Sequence, residues 1–152
     1  MKKTILIISF LVFYVFIVNA QEKHDIRGIL SGFKPGQIIA SDEGCFNYTT
    51  LRLTDCAYDV NIIGVYKYDL KLDNPRIMPN PVQQEGIIKV LFSNENGPVE
   101  KGDLLTSSLK PGTAMKATKP GMIIGVAMEN SNEGDGYVKI RIMIQYATPS
   151  VE

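Results

Sequence analysis

Three short segments of this chain recur in the same order, and no other feature of the sequence constrains the fold as strongly. The matched pairs are 36–41 (GQIIAS) with 102–107 (GDLLTS), 62–65 with 123–126 (both IIGV), and 86–90 (GIIKV) with 136–140 (GYVKI). Each segment is short, largely apolar and bounded by turn residues, which is typical of β-strands. Because the order is kept, the matches predict a duplicated β unit, with repeat units at about 36–92 and 102–146.

Strand patterns continue along the chain after the first 20 residues, and no window there has a helical period. In the last pattern, Val138, Ile140 and Ile142 alternate with charged or polar residues, as in a half-buried strand. The 13 glycines and 8 prolines of the chain supply many turns. We therefore predict an all-β fold, a small barrel or sandwich, forming a single domain over residues 36–147. Residues 21–35 are a lead-in and residues 148–152 a tail.

Residues 1–20 have the pattern of a secretory signal peptide. Lys2 and Lys3 precede an apolar run, and a small-residue ending stands at Ala20, before Gln21. A membrane anchor is the alternative interpretation, but the run is shorter than the roughly 18 apolar residues that span a bilayer. The sequence therefore predicts a secreted protein (extracellular, cell surface or periplasm) without stable membrane insertion after cleavage.

Cleavage would leave a mature chain of 132 residues, which fits one compact domain. Without Lys2 and Lys3, 14 basic residues face 16 acidic ones, a formal charge of −2. The charges alternate in sign without blocks, so the sequence offers no basic stripe for nucleic acid. We predict a protein partner or self-association, including a homo-oligomer, and no nucleic acid.

Cys45 and Cys56 are the two cysteines of the chain. In an oxidising compartment an even cysteine count usually means a disulfide. One bridge closing a loop of this size would stabilise the fold by roughly 2–3 kcal/mol, mainly by restricting the unfolded chain. The sequence therefore predicts a Cys45–Cys56 disulfide.

Several residues are expected to set tight turns or close strand approaches. They are Gly36, Gly64, Gly102, Asp103, Pro111, Gly112 and Gly125. Gly102 adopts a left-handed conformation at low cost, and the Asp103 carboxylate accepts backbone N–H groups across the same turn. Pro111 and Gly112 fit the central positions of a type II turn. Gly64, inside a strand pattern, indicates a bulge or a close backbone approach.

The chain has little material for catalysis. His24 is its only histidine, so Ser/His and Cys/His nucleophilic schemes lack a base. Acidic pairs such as Asp42 with Glu43 lie beside glycine turns, where carboxylates normally cap the backbone. Oxygen-rich segments around Asn94 and at 129–135 lack EF-hand spacing. We therefore predict a non-enzymatic protein with no cofactor and no metal site.

Residues 114–117 (AMKA) resemble the Ala-Met-Lys-Met turn of biotinyl domains, in which Lys116 would be the modified lysine. Ala117 replaces the second methionine, and Thr113 stands where an acidic residue is expected. Lys116 is therefore interpreted as an exposed strand lysine.

The segment 69–85 contains three prolines, Pro75, Pro79 and Pro81, and is predicted to be a long irregular loop. Such loops in compact domains are often functional, although some are tolerated insertions. Its neighbours Tyr66, Tyr68 and Arg76 are candidate contacts for a carbohydrate or another small ligand. Aromatic and arginine side chains in a shared cleft would support this use, whereas burial in the core would argue against it.

Residues 97–127 resemble a β-rich module of bacteriophage tail-fibre and appendage proteins and of bacterial secreted or surface proteins. The similarity lies in the segments GPVEKGDLL, PG, AMKA and IGVA, with Ser108 in the link between the first two. The resemblance implies a folding and assembly module. It also implies self-processing as a further hypothesis, since such modules lie near self-cleaving regions in appendage proteins.

Together these observations predict a secreted, non-enzymatic β domain for surface structure or protein–protein assembly. A carbohydrate or small-ligand binding module is the main alternative. A self-processing appendage-type protein is the third hypothesis.

Overall fold

The computed structural model describes residues 32–42, 50–68, 80–131 and 136–149. These residues form strands, turns and irregular segments, and the all-β prediction is confirmed. The predicted signal peptide, Cys45 and Arg76 lie outside the described residues. The strands are β1 (Ile38–Ser41), β2 (Leu51–Leu53), β3 (Ile62–Tyr66), β4 (Val82–Gln83), β5 (Ile87–Phe92), β6 (Leu104–Ser107), β7 (Ala114–Lys116), β8 (Gly121–Ala127) and β9 (Gly136–Ala147).

The strands are arranged in two sheets. The first is a four-stranded antiparallel sheet with the order β2-β1-β3-β4. The second is a closed barrel with the order β5-β7-β6-β8-β9, in which β9 pairs with β5. The β5–β7 contact is parallel and joins Phe92 to Ala114, whereas the other barrel pairs are antiparallel. Closure removes most of the exposed strand edges that an open sheet would present.

The first two sequence matches lie at corresponding pairing positions. In the first sheet, β1 and β3 pair Ile38 with Val65 and Ile39 with Gly64. In the barrel, β6 and β8 pair Leu104 with Val126 and Leu105 with Gly125. Strands β2 and β7 lie on the other side of β1 and β6, so the order β2-β1-β3-β4 parallels β7-β6-β8-β9. The origin of this similarity in a duplication stays a prediction.

The third sequence match does not follow this correspondence. Strands β5 and β9 are neighbours in the barrel and pair with each other, with Lys89 directly opposite Lys139. The counterpart of β9 in the first sheet is instead β4. Val65 of β3 pairs with Gln83 of β4, just as Val126 of β8 pairs with Arg141 of β9. Strand β5 is therefore an additional strand that closes the barrel.

One hydrophobic cluster joins the two sheets. It combines buried side chains of the first sheet, such as Ile38 and Val65, with barrel side chains such as Phe92, Leu105 and Ile140. The opposite face of the first sheet buries a second cluster. Its two central strands, β1 and β3, thus bury side chains on both faces, which explains why these two strands are largely continuous apolar runs.

Backbone hydrogen bonds also connect the sheets. The Ile38 amide donates to the carbonyl of Gly112, in the turn before β7, over 2.8 Å, and the Gly112 amide donates to the Thr54 carbonyl over 2.8 Å. The Leu91 amide of β5 donates to the Gly36 carbonyl over 2.8 Å. The segment before β1 therefore lies against the outer edge of β5.

Candidate functional site

The turn that precedes β6 holds an ion pair with β7. Asp103 Oδ2 accepts a 2.8 Å hydrogen bond from the Glu100 amide and lies 2.8 Å from Lys116 Nζ. Gly102 has a φ of 100°, which a residue with a Cβ rarely adopts. Lys116 lies in β7, as interpreted, but its side chain is only 33% exposed and lines a cleft of about 420 Å³.

The turn between β6 and β7 has Pro111 and Gly112 at its centre. The Thr113 amide donates to the Lys110 carbonyl over 3.1 Å, and Gly112 has a φ of 70°. This is the backbone arrangement that a type II turn requires at its third residue. The turn lies under the first sheet, because a Cβ on Gly112 would come within 3.1 Å of Gln37.

The three candidate ligand residues near the predicted 69–85 loop, in which Val82–Gln83 form β4 and residues 69–79 lie outside the described part, have different surroundings. Tyr66 is fully buried in the second hydrophobic cluster, and its ring meets Phe33 edge-on at 5.5 Å, so it contributes to the core and does not contact a surface ligand. Tyr68 is half-buried, with Lys67 Nζ 5.1 Å from its ring centroid, a cation–π geometry. Arg76 lies outside the described residues.

An arginine at the centre of β2 organises the most charged part of the described chain. Arg52 Nη1 lies 2.7 Å from Asp59 Oδ2 and 3.3 Å from Asp55 Oδ1, and Arg52 Nε lies 2.8 Å from Asp42 Oδ1. The Asp59 side chain is only 2% exposed, and its Oδ1 also accepts the Asn61 amide. Hydrogen bonds to Asp59, and then to Asp42, raise the pKa of Arg52 above its ordinary value.

The same neighbourhood contains a group of metal-ligand types. Asp55, Cys56 and Asp59 place one ligand atom each within 4.8 Å of one another. The Arg52 guanidinium already donates to both carboxylates, so its single positive charge offsets part of their negative charge. We therefore interpret the group as an ion-pair cluster that fixes the turn after β2. Sequence reasoning missed this cluster, because Arg52 and Asp59 meet only after the chain reverses between them.

The loop that carries Asp59 is tied to the barrel. The Asp59 amide donates to Ser107 Oγ over 2.8 Å, and Ser107 Oγ donates to the Cys56 carbonyl over 2.8 Å. Tyr58 has a φ of 59°, and its hydroxyl accepts the Thr118 amide over 2.8 Å. Burial opposes ionisation of Tyr58, but hydrogen bonds from Thr118 and Lys119 outweigh it and lower the pKa of the phenol.

Cys56 carries a free, exposed thiol in the structure, while Cys45 lies outside the described residues. The Cys45–Cys56 disulfide stays a prediction. Partial desolvation raises the pKa of the Cys56 thiol, and the carboxylates of Asp59 and Asp55 add to this effect. A raised pKa means less thiolate, which is the nucleophilic form, near neutral pH.

We expect the single thiol of a Cys45→Ser variant to react with iodoacetamide at pH 8 more slowly than the thiol of N-acetylcysteine amide, which has no carboxylate. The Asp55→Asn change should raise the rate, because it removes one of the charges that disfavour the thiolate. The measurement is the alkylation rate as a function of pH. A rate equal to that of the small thiol would contradict the electrostatic explanation. Wild-type protein that has not been reduced should not react with iodoacetamide if the predicted Cys45–Cys56 disulfide has formed.

The last part of β9 extends beyond its neighbour β5. Strand β5 pairs with β9 from Gly136 to Arg141, and the Ile142 amide donates to the Gly86 carbonyl. Strand β8 pairs with β9 as far as Ala147. Within the described part of the chain, residues 143–147 therefore have a strand on one edge only. We call this segment the β9 overhang.

The outward face of the β5–β9 pair is positively charged. Lys89 is directly opposite Lys139, and Arg141 lies two residues further along the same side of β9. Among the described residues, Lys89 and Arg141 have no carboxylate partner, while Lys139 Nζ is 3.8 Å from Glu129 Oε2. We call Lys89, Lys139 and Arg141 the cationic face. The sequence showed each charge, but their meeting depends on the β5–β9 register.

A depression borders the cationic face. It has a volume of about 410 Å³ and is lined by Pro35, Gly36, Lys67, Ile88, Lys89 and Tyr137. The Tyr137 ring is 49% exposed, and its hydroxyl donates to the Pro35 carbonyl over 3.2 Å. The aromatic wall of the depression is thus fixed at both the ring and the hydroxyl.

Comparison with models of protein families and with curated proteins found no match to this chain. Across the described ranges, there is no helix with the length and apolar character needed to span a bilayer.

Proposed function

We propose that this chain is an exported, non-enzymatic β domain that acts in surface structure or protein–protein assembly, and that it assembles by strand addition at the β9 overhang. The signal-peptide pattern of residues 1–20 supports export. The resemblance of residues 97–127 to appendage and secreted modules supports an assembly role.

The β9 overhang is the observation that carries the proposal. A strand edge without a neighbour presents backbone N–H and C=O groups to another chain, and proteins usually protect such edges with charged residues or proline. The overhang, MIQYA, has neither. Met143 is 38% exposed and Tyr146 is 69% exposed, so the segment adds apolar side chains to the open edge. A second copy could pair its own overhang with this one.

We expect the wild-type protein to form concentration-dependent oligomers and the Met143→Lys/Tyr146→Lys variant to stay monomeric. Lysines on an edge strand oppose pairing, because a partner strand would bring like charges together and desolvate them. The measurement is the molar mass from light scattering coupled to size-exclusion chromatography over a range of concentrations.

The matched control is Leu109→Lys, since Leu109 is also 69% exposed but lies in the turn between β6 and β7. This variant should associate like the wild type. A monomeric mass of the wild type at every concentration would contradict self-assembly through β9. Equal loss of association in the control would show that general surface hydrophobicity, and not the overhang, is responsible.

A further inference from the structure

We propose that the cationic face, together with the depression beside Tyr137, is a binding site for an acidic polysaccharide. In this site Lys89, Lys139 and Arg141 bind carboxylates, and Tyr137 provides an apolar platform for a sugar ring. The proposal does not depend on assembly through the β9 overhang.

The first support is the placement of the positive charges. Side chains directly opposite each other in an antiparallel pair have Cβ atoms roughly 4.5–5.5 Å apart, and like charges at such positions destabilise the sheet. Lys89 and Lys139 occupy these positions. Arg141 follows at a distance of about 7 Å along the strand. Glu129 already lies 3.8 Å from Lys139 Nζ, so a ligand with repeated negative charges would mainly compensate Lys89 and Arg141.

The second support is the fixed position of Tyr137. A Cβ on Gly36 would lie 2.6 Å from Tyr137 Cε1, so the ring rests directly on the backbone of Gly36. The hydrogen bond of 3.2 Å from the hydroxyl to the Pro35 carbonyl favours this position of the ring. A tyrosine ring has an apolar face and a polar tip, which suits contact with the C–H groups of a sugar while its hydroxyl stays hydrogen-bonded.

The depression has the size of a small-ligand site. Its volume of about 410 Å³ falls within the roughly 300–1,000 Å³ of typical ligand pockets. Lys67 stands at its wall and has no carboxylate partner among the described residues. A single sugar unit in the depression would therefore have lysines on two sides and an aromatic ring beside it.

The position of the face within the barrel favours a glycan over an acidic peptide. A peptide that binds by strand addition needs a free backbone edge. Strand β5 has β9 on one side, and on the other side its Leu91 amide is hydrogen-bonded to Gly36, which shortens the edge that a peptide strand could use. A second copy is also disfavoured, because a twofold contact would place Lys89 and Lys139 against the same lysines of the partner.

The test is binding of fluorescently labelled oligogalacturonate, measured by anisotropy at low and at physiological salt. We expect saturable binding that weakens with salt, and about tenfold weaker binding for Lys89→Gln/Arg141→Gln. Tyr137→Ala should weaken binding about fivefold, whereas Tyr137→Phe, which keeps the ring, should retain most of it. Lys101→Gln/Lys119→Gln is the matched control, because it also removes two positive charges from exposed side chains outside the cationic face, and it should bind like the wild type. Circular dichroism of each variant establishes that it is folded.

Three results would overturn the proposal. The first is absence of oligogalacturonate binding by the folded wild type. The second is equally tight binding of poly-L-glutamate or of phosphatidylglycerol vesicles, which would assign the face to an acidic peptide or to a membrane surface. The third is equal weakening by Lys101→Gln/Lys119→Gln, which would show that binding depends only on the net charge of the protein. Loss of oligomers in Met143→Lys/Tyr146→Lys with binding retained would separate this site from the assembly surface.

Discussion

Replacing Gly64 with alanine is expected to destabilise the protein by about 3 kcal/mol or more, and Gly125→Ala by about 3 kcal/mol. A Cβ on Gly64 would lie 2.4 Å from the Gln83 carbonyl oxygen, and Gly64 has a φ of 154°. A Cβ on Gly125 would lie 2.2 Å from the Arg141 carbonyl oxygen. Both clashes involve the backbone of a paired strand, so relief requires that the sheet itself shifts.

The measurement is the urea midpoint and slope by far-UV circular dichroism, which suits a chain that has no tryptophan. Gly136→Ala is the matched control, because Gly136 also lies in a strand but a Cβ there meets nothing within 4 Å. Its effect should stay below about 1 kcal/mol. Similar urea midpoints for all three variants would contradict this explanation, because they would mean that the paired strands leave room for a Cβ at Gly64 and Gly125.

These two glycines also show what the sequence predicted well. The shared segment IIGV places one glycine in β3, which pairs with β4, and one in β8, which pairs with β9. The close backbone approach leaves no room for a Cβ. A glycine inside an apolar strand pattern therefore predicts such an approach from the sequence alone. The apolar residues on either side of each glycine predicted the strands.

The third match misled because its pattern is generic. An alternating apolar strand with a central lysine fits any half-exposed position of a sheet, and nothing local sets its partner. The register of β5 with β9 depends on barrel closure, a long-range property. The cationic face follows from that register. The sequence alone therefore does not predict that Lys89 and Lys139 lie opposite each other.

Tyr66 shows a second limit. A tyrosine at the end of a strand beside a long loop suggests a surface role, but its ring is buried because the first sheet is covered on both faces. The alternation of a strand reports which residues share a face and not whether that face is covered. Fold class was therefore predictable, while the candidate ligand residues depended on packing between sheets.

Replacing Arg52 with methionine is expected to destabilise the protein by about 3 kcal/mol, because it leaves the buried Asp59 carboxylate without its cation. The Arg52 side chain is 29% exposed and that of Asp59 only 2%, so water reaches the guanidinium more easily than the carboxylate. The apolar part of arginine is retained in methionine, which limits the packing loss. The measurement is again urea unfolding, with Arg52→Met, Asp59→Asn and the double variant compared as a cycle.

The double variant should be more stable than Arg52→Met alone, because asparagine at 59 no longer buries a charge and its oxygen still accepts the Asn61 amide. Asp42→Asn removes a different partner of the same arginine. Because the Asp42 side chain is 68% exposed, its loss should cost less than about 1 kcal/mol. Equal effects of Asp42→Asn and Arg52→Met would mean that the pair with Asp59 is as weak as a surface ion pair. A large difference would identify Asp59 as the residue through which Arg52 holds the turn after β2 against the barrel.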